Sequence, residues 1–386
     1  MKRIKVMLVF GTRPEAIKMA PVIAELKQSE LFQTVVCVTA QHREMLDQVL
    51  DVFHIVPDYD LNIMKPHQTL SDITANVLQG IEKVIETEKP AMILVHGDTT
   101  TSFAGALAAF YHKIPVGHVE AGLRTRDKYA PYPEEMNRRL ISSIADLHFA
   151  PTEQSKRNLL AENIPADSIT VTGNTAIDAL KTTVNPTFHH EILDWVGKNK
   201  LILLTAHRRE SMGQPLVNIF TAIRTLTEDF QDVKVVYPVH RNPEIGRAAR
   251  ELLGGCDRIK LIPPLNVLDF HNIMAKSYLI LTDSGGVQEE APSLAVPVVV
   301  LRDKTERPEG IACGVLKLAG TTQQGILESV EPLLTDSASY EGMRRAKNPY
   351  GDGFASKRIV QALQETLTDR LEQERISWSI FQPLKE

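Results

Sequence analysis

Three carboxylates stand at or just beyond apolar runs in the first half of the chain: Asp98 after AMILVH, Glu120 after IPVGHV, and Glu134 in PYPEEMNRR. Arg124, Arg126, Arg138 and Arg139 lie close to the last two in sequence. Acidic groups converging among cations suit proton transfer, because burial and neighbouring charge move carboxyl pKa values towards the working pH. The same spacing also fits an ion-pair network without chemistry, and Asp98, ahead of a threonine run, also reads as a helix cap. A second kind of chemistry is anion binding. In FGTRPEAIKMAP, Gly11 permits a tight turn, Pro14 suits a first helical turn, and Arg13 and Lys18 bring two positive charges near a helix start.

The second half repeats the theme. His207, Arg208, Arg209 and Glu210 follow the run LILLT, and a histidine there can touch a phosphate or protonate a leaving oxygen. LTDSGGVQEEAPS feeds Ser284, Gly285 and Gly286 into a helix that bears Glu289 and Glu290. Small residues let backbone N–H groups approach a phosphate, and the helix dipole favours its charge. Glu290, about one turn inside, can accept both hydroxyls of a ribose. Arg307 in RDKTERPEG reads either as a further phosphate ligand or as a surface ion pair.

The elements that must position these residues are legible in the alternation of patterns. Short apolar runs rich in β-branched residues (IKVMLVF, TVVCVT, AMILVH, IPVGHV, then LILLT, VKVVYPV, RIKLI, YLILT and VPVVVL) have the form of buried parallel strands. Helical stretches fall between them at 15–28, 70–87, 102–112, 216–229 and 287–294. The alternation predicts an α/β chain with two doubly wound, Rossmann-like sheets, which bind ligands beyond the carboxyl ends of their strands. We place a first domain at 1–172 and a second at 173–353, with residues 182–199 as a linker region and a C-terminal helix within 354–386 packing back on the first domain.

A chain of 386 residues is long enough for two full cores. Its net charge of -5 argues against a nucleic-acid partner but excludes no small anion. Cys37, Cys256 and Cys313 are far apart and form no CxxC pair, the pattern of reduced thiols in a cytoplasmic protein. The start reads as a buried strand rather than a signal peptide, and no apolar run approaches the roughly 18 residues of a membrane span. GxxxxGK[ST], an intact GxGxxG after the first strand, HExxH and paired CxxC spacings are all missing, which lowers the weight of ATP hydrolysis, nicotinamide chemistry and zinc catalysis. The residues alone lead to a two-domain α/β protein that holds a phosphorylated ligand, a nucleotide by preference.

At FGTRPEAIKMAP, VHGDTTTSFAG, GHVEAGLRT, PEEMNRR, TAHRRE and TDSGGVQEEAPSLAVPVVVLRDKTERPEG, the chain resembles the bacterial non-hydrolysing UDP-N-acetylglucosamine 2-epimerases. The likeness runs from the first strand to NPYGDG. It implies a type-B glycosyltransferase-like fold, a cleft between two domains, a dimer, and epimerisation at C2 between UDP-N-acetylglucosamine and UDP-N-acetylmannosamine with no cofactor. It also implies a route: loss of the C2 proton and of UDP to give 2-acetamidoglucal, then re-addition. By position, Asp98, Glu120, Glu134 and His207 would be catalytic. Arg13, Lys18, Phe270, Ser284, Gly285, Gly286, Glu290 and Arg307 would bind substrate. Gln41, His42, Gln68, Arg208 and His240, with Glu134, would form a second site where UDP-N-acetylglucosamine activates the enzyme. His67 stands there in place of the Arg common among relatives, so a contact to diphosphate would rest on a group only partly charged near neutral pH. The rivals are a hydrolysing epimerase, a glycosyltransferase, and a sensor that binds the nucleotide sugar without turnover.

Overall fold

The computed structural model describes residues 3–40, 43–65, 68–208 and 211–380. Among these the chain forms two all-parallel sheets. The first contains β1 (Ile4–Phe10), β2 (Phe32–Val38), β3 (Tyr59–Asp60), β4 (Met92–His96), β5 (Val116–Val119), β6 (Leu147–Ala150) and β7 (Ile169–Val171), in the order β3-β2-β1-β4-β5-β6-β7. The second contains β8 (Lys200–Thr205), β9 (Val233–Pro238), β10 (Ile259–Ile262), β11 (Leu279–Thr282), β12 (Val298–Val300) and β13 (Leu316–Leu318), in the order β10-β9-β8-β11-β12-β13. In each sheet the strand order reverses at its first strand, between β1 and β4 and between β8 and β11. This is the Rossmann order that the alternation predicts, and its switch point is where such sheets open a crevice.

The strands form because their residues can be buried on both faces. β1 is buried along its length apart from Lys5, whose ammonium reaches the Glu88 carboxylate at 2.6 Å. The first core joins Met7, Val9, Val35 and Val95 to Val77, Ile81 and Ala104 of the covering helices. The second joins Leu204, Val235, Tyr237 and Leu281 to Phe220, Ile223 and Leu226.

Four of the five predicted helices begin two residues earlier than the apolar periodicity indicates. They run over Arg13–Gln28, Thr100–Tyr111, Gln214–Asp229 and Gly285–Ser293. Polar residues start them: the Thr99 hydroxyl accepts from the Ser102 N–H, and Pro14 and Pro215 occupy first turns. Three short strands escape the sequence reading. β3 has two residues, β13 has three, and LHFA in β6 carries a histidine and an alanine where β-branched residues would signal a strand. The polar stretch 182–199 includes a helix of its own, Glu191–Val196.

The chain divides into two compact units. One runs to Ala179 and resumes at Gly353, and the other spans Leu180–Asp352. Within the first unit, the helix Ala355–Ile380 packs on the helix Arg13–Gln28. Asp178 accepts from the backbone N–H groups of Ala355 and Ser356, and Arg358 donates to the Thr172 carbonyl. Among the described residues no helix is long and apolar enough to cross a membrane.

Candidate functional site

In the first unit the chemistry gathers at the carboxyl ends of β1, β4 and β5. Glu15, one turn into the helix after β1, is fully buried. One of its carboxylate oxygens accepts from the N–H groups of Gly11 and Thr12 at 3.0 and 2.8 Å, and the other from the hydroxyls of Thr99 and Ser102 at 2.7 and 2.9 Å. Burial raises its pKa, and these donors resist the rise. Glu15 thereby ties the GTRPE turn to the GDTTTS turn. Arg13 sits at the first position of this helix, and Lys18 projects from its second turn.

Lys18 pairs with Glu120, the residue directly after β5. The Asn174 amide donates to the same Glu120 oxygen at 2.8 Å. Glu120 takes a left-handed backbone conformation with φ 63°, rare for a residue with a Cβ and a local strain of about 1–3 kcal/mol. Gly97, also at φ 63°, turns the chain after β4, and a Cβ built there would lie 3.6 Å from a Glu120 oxygen. The next residue is Asp98. It is not the helix cap that the sequence leaves open, since Thr99 fills that role; its carboxylate lies 2.6 Å from Arg138 instead. Arg138 also meets the buried Glu135 at 3.0 Å, and Asn137 donates to the Asp98 carbonyl. Glu134 begins the helix Glu134–Ile144, and its Oε2 is buried without a hydrogen-bond partner.

Behind the two strand ends stand buried imidazoles. The His96 Nε2 lies 3.8 Å from Glu120 and makes no hydrogen bond. The His118 Nε2 lies 2.7 Å from the Gly97 carbonyl. Burial pushes His96 down to about 4, with Lys18 adding to the effect and Glu120 opposing it, and pushes His118 down to about 3. Both rings are therefore neutral near pH 7.

In the second unit the polar residues cluster at the ends of β8 and β11. Asp283 is completely buried. One oxygen accepts from the N–H groups of His207 and Arg208 at 2.7 and 2.8 Å and from the Ser211 hydroxyl at 3.3 Å, and the other lies 3.0 Å from His207 Nδ1. Burial opposes ionisation of Asp283, but the His207 ring and the two N–H groups outweigh it and hold its pKa below the usual value. The His207 ring stacks on His240, with centroids 5.7 Å apart. Burial and His207 lower the His240 pKa, although Asp283 pulls the other way.

The helix Gly285–Ser293 starts two residues after Asp283, with Ser284 at its cap. Arg307 is buried rather than a surface ion pair. Its Nε and Nη1 lie 2.6 Å from Glu289 and from Glu306, and its guanidinium rests against Gly285, where a Cβ would come within 2.7 Å of Nη1. Glu306 is held down to about 2: burial opposes this, but Arg307, Arg302 and Arg208 prevail. Arg208 lies 3.8 Å from Glu306. Glu290 faces His271 at 3.7 Å, and a Cβ on Gly286 would touch its other oxygen at 3.5 Å. The Phe270 ring adjoins that of His271.

Within each unit, then, the structure brings most of the anticipated residues together: Lys18 with Glu120 and the turn of Asp98 in one, His207 with Arg208 and His240 and Arg307 with Gly285 in the other. Gln68 stands apart, occupied with its own loop through the Ile63 carbonyl and the Lys65 N–H. Gln41, His42, His67, Arg209 and Glu210 lie outside the described residues. Sequence reasoning passes over Glu15, His96, Asn174, Asp283 and Glu306. Glu15 alone left a signal, as the glutamate three residues after Thr12 in a capping box. Among the described residues no group of three or more His, Cys, Asp or Glu is placed to hold a metal ion.

The profile of the UDP-N-acetylglucosamine 2-epimerase family matches residues 24–364. The UDP-N-acetylglucosamine 2-epimerase of Bacillus subtilis (strain 168) is 63% identical over 363 residues, 94% of this chain and 96% of that one. Among solved structures, the UDP-GlcNAc 2-epimerase of Neisseria meningitidis bound to UDP-GlcNAc matches with a TM-score of 0.87 at 52% identity, over 94% of this chain and 100% of its own. The Methanocaldococcus jannaschii UDP-GlcNAc 2-epimerase in complex with UDP-GlcNAc and UDP matches with a TM-score of 0.79 at 36% identity, again over 94% and 100%. Likeness at this identity extends over nearly the whole chain, including the strand ends where carboxylates and cations collect, and on that ground the chain belongs to the UDP-N-acetylglucosamine 2-epimerase family.

Proposed function

We propose that this protein interconverts UDP-N-acetylglucosamine and UDP-N-acetylmannosamine by eliminating and re-adding UDP. The observation that carries the reading is the pair of carboxylates on adjoining strand ends of the first unit, each with its own cation: Asp98 with Arg138, and Glu120 with Lys18. Inversion at C2 requires a proton to leave one face of the sugar and return to the other, which a single carboxylate cannot easily do. Asp98, Glu120 and Glu134 supply the groups. One accepts the C2 proton, the C1–O bond breaks with its electron pair leaving on UDP, and 2-acetamidoglucal remains with a C1–C2 double bond. The diphosphate oxygen then re-forms the bond to C1 as a proton is delivered to C2 from the opposite side.

A C2 proton is not acidic, so departure of UDP must be well advanced as the proton is lost, and the leaving charge must be stabilised. In our reading the second unit does this with the helix start at Ser284, Gly285 and Gly286, together with Arg307 and His207. Glu290 takes the ribose hydroxyls, Phe270 lies alongside, and Arg13 contributes a further positive charge. The two domains assigned from the sequence, 1–172 with the C-terminal helix and 173–353, divide the labour between sugar and nucleotide. We further read Gln41, His42, Gln68, Arg208 and His240 as a second UDP-N-acetylglucosamine site that activates turnover, and the working form as a cytoplasmic homodimer whose product feeds cell-surface polysaccharide or teichoic acid synthesis.

The test is proton NMR of the purified protein with UDP-N-acetylglucosamine in D2O. UDP-N-acetylmannosamine growing to a stable mixture with deuterium at C2 supports the reading. Free N-acetylmannosamine with UDP would replace it with hydrolysis, and binding without turnover would leave only a sensor.

A further inference from the structure

We propose that Asp283 is the positioning residue of His207: it fixes the imidazole as the Nδ1–H tautomer and so leaves Nε2 as the nitrogen that exchanges a proton with the ligand. The inference rests on the reading of His207 as a catalytic residue. It begins from the contacts of one carboxylate. Asp283 has no solvent exposure, and it follows directly on β11 while His207 lies just beyond β8, the neighbouring strand.

Its two oxygens do different things. Oδ2 gathers the His207 and Arg208 N–H groups and the Ser211 hydroxyl, which fixes the backbone at His207 and Arg208. Oδ1 faces the ring, 3.0 Å from Nδ1, at ion-pair distance but short of hydrogen-bond alignment, and it is buried with no hydrogen bond from any other group. An ionised carboxylate is only an acceptor, so the ring nitrogen facing it must carry the hydrogen. The neutral ring then has its lone pair on Nε2, and that atom becomes a donor once protonated. The imidazolium so formed has a buried counter-charge beside it. The stack on His240 adds a second restraint, because the His207 ring, with 37% of its side chain exposed, cannot rotate without leaving its neighbour.

A carboxylate whose only task was to hold the turn would need one oxygen. Here the second faces the ring at 3.0 Å, and the side-chain amide of Asn would reverse the arrangement. With its oxygen kept on the two N–H groups, the amide nitrogen would face Nδ1 as a donor and force the hydrogen onto Nε2. Inverting the tautomer of a catalytic imidazole in this way lowers kcat by up to about 10⁴-fold.

The experiment has two parts, both on the full chain. First, ¹⁵N spectra of histidine-labelled protein, with the His207 signals assigned by their loss in His207→Gln, read the tautomer directly. The expected result is Nδ1–H in the unmodified protein and Nε2–H in Asp283→Asn. Second, epimerisation kinetics of Asp283→Asn, His207→Gln and the double variant should show a fall in kcat with KM changed less, and losses that do not add, because Asp283 acts through His207. An Nε2–H tautomer in the unmodified protein overturns the proposal without any need for the variant to fold. Fully additive losses overturn it too, since they would make Asp283 a scaffold residue. If His207→Gln turns over normally while the tautomer is as stated, the catalytic reading of His207 fails, and the proton-exchange half of the proposal with it.

Discussion

Two neutral histidines buried behind the strand ends that carry Asp98 and Glu120 should make the protein sensitive to mild acid. His96 and His118 are held at about 4 and about 3 in the folded chain against an ordinary value of 6.5. The unfolded chain therefore binds more protons throughout the interval below 6.5, and stability falls as pH drops through that value towards the folded pKa values. At pH 5.5 an ordinary imidazole is about 90% protonated while these two remain almost wholly neutral, which costs about 1.3 kcal/mol each relative to pH 7.5, or about 2.5 kcal/mol together. For a unit of this size the shift in Tm is about 5–10 °C. His148, also lowered chiefly by burial, acts in the same direction. Glu15, whose pKa burial raises, takes up its proton more readily when folded and so offsets part of the loss as pH falls. Depressed carboxylates such as Asp283 and Glu306 lose their contribution only as pH falls from about 4 downwards, below the window. The assay is thermal unfolding at pH 7.5, 6.5 and 5.5 for the unmodified protein and for His118→Gln, whose amide can still donate to the Gly97 carbonyl. The variant should keep roughly half of the pH dependence. A Tm constant across the three pH values, or a slope unchanged in the variant, would refute the reasoning.

Further tests concern the candidate site. Gly285→Ala drives a methyl group into a guanidinium that Glu289 and Glu306 hold in place, so the Kd for UDP measured by titration calorimetry should rise by about 10-fold or more; unchanged affinity would remove Arg307 from the nucleotide site. Asp98→Asn and Glu120→Gln should each lower kcat by about 10²–10⁴-fold while UDP still binds, and a loss of only a few-fold in both would move proton transfer elsewhere. Glu290→Gln exchanges a charge-assisted hydrogen bond for a neutral one, about 1–2 kcal/mol. It should weaken UDP by about 10-fold and largely abolish the preference for UDP over its 2′-deoxy analogue, a preference that persists if the ribose is held by another group.

The sheets were legible because β1, β8 and β11 are continuous apolar runs buried on both faces, and such runs between helical periods have few other solutions. The short edge strands were not, since β3 and β13 draw their identity from their neighbours rather than from a pattern of their own. Candidate residues announced themselves where an unusual type stands close after a strand, as at Asp98, Glu120 and Ser284–Gly286. The residues that hold them did not. Glu15, Asp283 and His96 lie within motifs that sequence reading recognises, but their roles come from contacts between turns 84 and 76 residues apart, such as Thr99 to Glu15 and His207 to Asp283. Arg307 is the intermediate case: its type was informative, and only its burial against Glu289 and Glu306 ruled out a surface ion pair.

The first unit is assembled from two pieces of chain, with the whole of the second unit lying between them in sequence. During synthesis, the strands from β1 to β7 emerge well before the helix Ala355–Ile380 that covers the helix Arg13–Gln28 and whose start is held by Asp178. Until that helix has been made, Ala355, Ser356 and Arg358 cannot occupy their partners, and part of the first core stays open to water. The second unit is contiguous and can close as soon as its own strands are complete. The unit begun first is therefore the one finished last, and an interruption of translation beyond Asp352 would leave a folded second unit joined to an unsealed first one, the kind of exposed apolar surface that chaperones bind.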